Sequence, residues 1–216
     1  MKENNSFGIP FIPVVPKPLA KVVFIGRDPS PRTTQSVGLR GGRSVFIKEI
    51  FDIVDEAGIS EDLIYITDVC KCHWRTSVGT PWPQTEHRSS KLDPTIAKNC
   101  MVQWLIPEIR LLHPLLIIAF GEELYQLLRK HITNPFPASL KLSTSADKSI
   151  PDAESWFVEN GPLSVNLDGV EYPLAPIRHP GNSSRLPKSP SAMDRRYEYH
   201  QLARTHLIVL VRKAFT

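Results

Sequence analysis

Lys21-Val22-Val23-Phe24-Ile25-Gly26-Arg27-Asp28-Pro29-Ser30-Pro31 is the stretch from which the fold is read. Its first six residues are an apolar run with β-branched and aromatic side chains that stops at a glycine. They predict a buried strand over Lys21 to Gly26, followed by a loop stiffened by prolines. Working outward, Phe46, Ile47, Ile50, Phe51 and Val54 recur at helical spacing between Ser44, a capping residue, and Gly58, a helix terminator. Leu63 to Val69 reads as a second buried strand, and Asp93-Pro94 opens a helix that runs to about Leu112. Leu115 to Gly121 is a third strand, with a helical segment over Glu122 to Lys130 after it. Leu163 to Leu167 and Val170 to Ile177, joined through Asp168-Gly169, predict a hairpin, and a last helix covers roughly Ala192 to Ala214.

Strands alternating with helices imply a mostly parallel sheet covered on both faces, because right-handed crossovers put helices there. The expectation is one domain over residues 1–216, with an extended N-terminal segment over 1–20. Residues 131–162, rich in Ser, Pro, Ala and Lys and poor in periodicity, are expected to form an irregular insertion. In such folds the ligand crevice lies beyond the carboxyl ends of the strands. That rule directs attention to the loops after Gly26, Val69 and Ile177.

Composition narrows the class without choosing a function. With 41% apolar and 22% charged residues, the chain suits a globular domain with a sizeable core. The apolar runs Leu115 to Phe120 and Leu207 to Val211 fall far short of the roughly 20 residues that span a bilayer, so no membrane segment is expected. Met1 to Phe7 is polar and lacks a signal core, which points to the cytoplasm. Three cysteines do not make a disulfide framework in a chain of this size, and reduced thiols are expected. A net charge of +4 permits attraction to a polyanion but is below that of a histone-like binder.

Two strand-end loops carry the candidate chemistry. In Gly26-Arg27-Asp28-Pro29-Ser30-Pro31 a carboxylate is held at the sheet mouth, where it can polarise water, oppose a developing positive charge, or simply cap a rigid turn. In Arg178-His179-Pro180-Gly181-Asn182-Ser183-Ser184-Arg185 a histidine precedes a loop of small residues and donors suited to phosphates or base edges; alone, it also reads as a surface turn.

Taken in order, these loops resemble the two active-site motifs of uracil-DNA glycosylases. Tyr65-Ile66-Thr67-Asp68-Val69-Cys70-Lys71-Cys72 and Leu116-Ile117-Ile118-Ala119-Phe120-Gly121 are similar to two further segments of the iron-sulfur class. The resemblance implies a three-layer α/β/α sandwich around a central four-stranded, mostly parallel sheet. It implies DNA as the partner, a monomer, and hydrolysis of the bond between a base and its sugar. Asp28 then activates water or stabilises the cationic sugar, and His179 stabilises the departing base. Gly26, Arg27, Phe46 and Asp68 surround the base, and Ser30, Asn182, Ser183, Ser184 and Arg185 grip the DNA strand. For Phe46 the alternative is core packing, which its helical spacing favours.

Four departures from the family pattern bear on substrate. Cys72 and Cys100 match the second pair of cluster cysteines, but Met1 to Ala20 offers no Cys-x-x-Cys, so no cluster and no other cofactor is expected. Buried structural cysteine is the expectation for Cys70, Cys72 and Cys100; a zinc site that adds His73 or His87 is the alternative. Asp68 stands where the family has an asparagine that reads uracil. A carboxylate accepts from N3-H or an exocyclic amine but repels uracil O4, which leaves a protonated Asp68, another damaged base, an inactive site or a solvated strand-end aspartate open. Arg27 occupies the place of the iron-sulfur class's glutamate, with the carboxylate one position later. Ser183 and Ser184 are too small to wedge into a duplex, which favours a single strand or an unpaired base. The segment Lys71 to Lys91 interleaves His73, Trp74, Arg75, Trp82, His87 and Arg88, as either a base-stacking loop or a packed one. Three functions therefore stand side by side: a DNA glycosylase, a binding protein that no longer cleaves, and a hydrolase of free nucleosides.

Overall fold

The computed structural model describes residues 9–10, 19–26, 45–69, 72–73, 94–133, 149–180 and 195–216. In chain order its strands are β1 (Ile9–Pro10), β2 (Val22–Gly26), β3 (Ile64–Asp68), β4 (Cys72–His73), β5 (Leu116–Phe120), β6 (Leu163–Leu167) and β7 (Val170–Ile177). The helices are α1 (Val45–Ala57), α2 (Pro94–Cys100), α3 (Ile106–Leu112), α4 (Glu122–Leu128), α5 (Ser149–Asn160) and α6 (Arg195–Lys213). β2, β3, β5 and β7 are the four parallel strands, side by side in the order β3-β2-β5-β7, and β6 adds a fifth antiparallel to β7. The fifth strand follows from the tight turn at Asp168 and Gly169, whose φ angles of +55° and +85° suit a two-residue hairpin.

Period-two alternation sorts the strand side chains between two cores. Val23, Ile25, Ile117 and Ala119 face one way, onto α2, α3, the turn between them and α4 through Ala97, Leu105, Ile109 and Leu124. Val22, Phe24, Leu116 and Ile118 face the other way, onto α1 and α6 through Ile47, Ile50, Ala203 and Leu207. Both faces of the strands are thus buried, as a parallel sheet requires. The α1 face is an i, i+3, i+4 stripe, and the helix ends where Gly58 N–H bonds Asp55 C=O at 3.1 Å and Ile59 N–H bonds Val54 C=O at 3.3 Å. The chain leaves β2 for β3 across the α1 face and returns past β2 to β5 across the other. Strand order therefore reverses beside β2, the position where open α/β sheets bind ligands.

Two expectations need correction. The helix expected from Asp93-Pro94 to Leu112 is interrupted by a π-turn over Met101–Leu105, with Ile106 N–H bonded to Met101 C=O. Pro107 explains it: proline donates no N–H and crowds the preceding turn, so a widened turn takes up the misfit. The irregular insertion over 131–162 is not irregular throughout, because Ser149–Asn160 forms α5. Ala153, Trp156 and Phe157 carry the helical spacing and are all buried, and tertiary packing overrides a polar, proline-containing start. β1 pairs with β4, Ile9 opposite His73, so the N-terminal segment is extended at Ile9–Pro10 and forms a separate two-stranded ladder. Among the described residues no helix is long and apolar enough to cross a membrane.

Candidate active site

Alternation along β3 decides which of its last residues can serve a site. Ile64 and Ile66 pack toward α1, and Asp68 is next on that side; Tyr65 and Thr67 point to the opposite core. Asp68 is the register partner of Gly26, at the carboxyl end of the β2–β3 pair. A Cβ on Gly26 would stand 2.2 Å from Asp68 Oδ1 and 3.1 Å from the Phe46 ring. Only glycine leaves room for a carboxylate and an aromatic ring to lie over the strand end.

The opposite wall comes from β5 and β7. Gly121, just past β5, has a φ of +93° that a side chain would strain, and its N–H bonds the Ile177 carbonyl at 2.8 Å. A Cβ there would meet His179 Cβ at 3.4 Å, so the β7 exit runs close over Gly121. The Phe46 ring meets the edge of Phe120 at 5.1 Å between centroids, and it lies nearly parallel to the His179 imidazole, 5.7 Å away with 12° between planes. Two rings stacked face to face would have centroids about 3.5 to 4 Å apart, so this pair is offset. Part of the Phe46 face is not covered by the imidazole. Phe46 packs against the α1-side core, and its ring also lies beside Gly26 and against His179.

Helix α1, which carries Phe46, is fixed to α6 by Arg204. The guanidinium bonds Glu49 at 2.8 Å and both oxygens of Glu56 at 2.6 and 2.9 Å. The Arg204 hydrogen bond holds the Glu56 carboxyl below its ordinary range, against a small desolvation effect. On the other face of the sheet, Thr67 Oγ1 donates to Glu108 Oε2 at 3.0 Å. Burial, reinforced by the Glu108 charge, pushes the Tyr65 phenol up to about 12.

The chain matches the family model of the uracil DNA glycosylase superfamily over residues 12–201. It belongs to that superfamily. Among curated proteins none matches it. The match spans β2 through the first turns of α6, and the superfamily acts on DNA.

Of the residues assigned to the site from the superfamily resemblance, the structure brings together Gly26, Phe46, Asp68 and His179. Arg27, Asp28, Ser30, Asn182, Ser183, Ser184 and Arg185 lie outside the described residues, as does most of Lys71 to Lys91. The structure adds Phe120 and Gly121, which shape the wall behind Phe46 and His179. Their sequence signal was an apolar strand that stops at a glycine. It also adds Glu154 of α5, whose Oε1 accepts the backbone N–H of Arg178 at 2.5 Å, immediately before His179. The spacing of Ala153, Trp156 and Phe157 was the signal for its helix.

The donor set does not fit a four-cysteine cluster, because the chain has three cysteines. Cys100, at the end of α2, is half-buried against the sheet core. Among the described residues no group of three or more His, Cys, Asp or Glu is placed to hold a metal. Cys70, His87 and the side chains of Cys72 and His73 fall outside them.

Proposed function

We propose that this chain is a water-using DNA glycosylase that releases uracil or another deaminated base. The observation that carries the proposal is the placement of Gly26, Phe46, Asp68 and His179 at one set of strand ends in a member of this superfamily. A base stacked on the uncovered part of the Phe46 face lies in the same layer as the offset imidazole. An edge of His179 then points at the edge of the base, the geometry for an in-plane hydrogen bond to a carbonyl oxygen. As the glycosidic bond lengthens, negative charge gathers on that oxygen and the sugar becomes oxocarbenium-like. His179 answers the first charge, and Asp28, two residues after Gly26 in the sequence, answers the second and orients the attacking water. The target nucleotide has to leave the stack to reach this layer. Ser183 and Ser184, which cannot replace a lost base, favour a single-stranded or unpaired substrate.

Asp68 sets the preference among bases in this proposal. A carboxylate accepts only, so it favours a base edge that offers N–H groups and disfavours one that offers a carbonyl. It is also the observation that favours a second reading, a protein that keeps the fold and grips DNA without cleaving it. Oligonucleotides bearing uracil, hypoxanthine or xanthine, incubated with the protein and then treated with alkali, separate the two. Strand breaks that disappear in Asp28→Asn while DNA binding persists support the glycosylase. Binding with no breaks on any of the three bases supports the second reading.

A further inference from the structure

Glu154 is fully buried between α5 and the end of β7. Its Oε1 accepts from the Arg178 backbone N–H at 2.5 Å and lies 3.2 Å from His200 Nδ1 of α6, while its Oε2 faces Arg178 Nε at 3.7 Å. Arg178 and His200 are themselves largely buried. A carboxylate taken out of water is unfavourable unless hydrogen bonds and a counter-charge offset it, and an apolar residue of similar size usually fills such a space at less cost. The bond that Glu154 makes is to a particular peptide. The Ile177 carbonyl and the Arg178 N–H are the two ends of one rigid plane. Gly121 N–H holds the first end at 2.8 Å, and Glu154 holds the second. His179 is the next residue, and its ring rests against Phe46.

We propose that Glu154 is a positioning residue for His179, clamping the Ile177–Arg178 peptide from beneath so that the imidazole leaves β7 in the layer where it can meet a base. His200 and the Arg178 guanidinium hold the carboxylate in place. The inference rests on the role given to His179 under the proposed function, but the clamp itself is observable without activity. Glu154→Gln keeps the size and one acceptor oxygen while removing the charge that faces Arg178.

The test follows three quantities in this variant: hydrogen exchange of the Arg178 amide, the ring nitrogen resonances of His179, and single-turnover release of uracil from a single-stranded oligonucleotide. The expected result is faster exchange, displaced His179 resonances, and release slowed roughly tenfold or more, because small misplacements of an active group are costly. DNA affinity stays within about twofold and the thermal transition remains cooperative. Unchanged exchange, unchanged His179 resonances and a wild-type rate per folded molecule would overturn the proposal. If Glu154→Gln does not fold, Glu154→Asp, which keeps the charge but is one methylene shorter, is held to the same criteria. If the wild-type protein releases none of uracil, hypoxanthine and xanthine, the glycosylase assignment is what fails, and amide exchange with the His179 resonances decides the clamp alone.

Discussion

Thr67 and Asp68 are neighbours in the chain and belong to opposite faces of the sheet. Thr67 is buried toward α3, where its hydroxyl donates to Glu108. Asp68, one residue on, lies over Gly26 beside Phe46. The same strand thus ends in a structural hydrogen bond on one side and a chemical group on the other. The difference is a matter of pleat: a side chain's face is set by odd or even position, and Asp68 falls on the α1 side at the point where strand order reverses.

Substitution at Gly26 breaks the comparison most severely. Gly26→Ala drives a methyl into the Asp68 carboxylate and the Phe46 ring while leaving the Thr67 side untouched. Base release is expected to fall by roughly a hundredfold or more, measured as single-turnover cleavage of a uracil-containing strand. An Ala variant with near-normal rate would mean that Asp68 and Phe46 do not act together. Phe46→Ala comes next. Losing a base-stacking surface predicts roughly tenfold weaker substrate binding, and losing the packing of a half-buried ring predicts a stability drop of about 2 kcal/mol, below the usual range for a fully buried phenylalanine. Denaturant titration and a binding curve read the two effects separately.

Thr67→Val probes the structural side. Removing the hydroxyl from Glu108 is expected to cost about 1 kcal/mol of stability with no change in base release or base preference. A shift in preference would show that the two faces communicate. The smallest effect belongs to Glu56, whose carboxyl is held low by Arg204. An acid with a depressed folded-state pKa stabilises the protein above its ordinary value of 4.5, and that contribution is lost as pH falls through the depressed value. Because the Glu56 side chain is about half exposed, Glu56→Gln is expected to cost no more than about 0.5 kcal/mol at neutral pH. The difference from wild type should shrink toward zero in acid, as thermal melts across pH will show.

Much of this architecture was legible because β2 and β5 are unbroken apolar runs that stop at a glycine, and β3 and β7 are mostly apolar with few polar positions. β2, β3, β5 and β7 could be drawn from Lys21 to Gly26, Leu63 to Val69, Leu115 to Gly121 and Val170 to Ile177 nearly to the residue. Helix α5 was not legible in the same way. Pro151 and Asp152 near its start and a polar outer surface masked three apolar residues at i, i+3 and i+4, and packing against β7 and α6 supplies what propensity lacks. The π-turn was hidden for a different reason, since a proline inside a periodic stretch signals a break without saying which distortion absorbs it. Within the site, Asp68 and His179 could be named from motifs, whereas the offset stack of His179 on Phe46 depends on side-chain directions that no spacing encodes.

The central claim is that the imidazole of His179 and the ring of Phe46 receive one nucleobase at the strand ends. Its most direct test is chromatographic detection of free base after incubating the protein with single-stranded oligonucleotides that each contain one uracil, hypoxanthine or xanthine. The expected result is stoichiometric release of at least one of these bases by the wild-type chain and a rate lower by roughly a hundredfold or more in His179→Ala. Equal release by both proteins would contradict it.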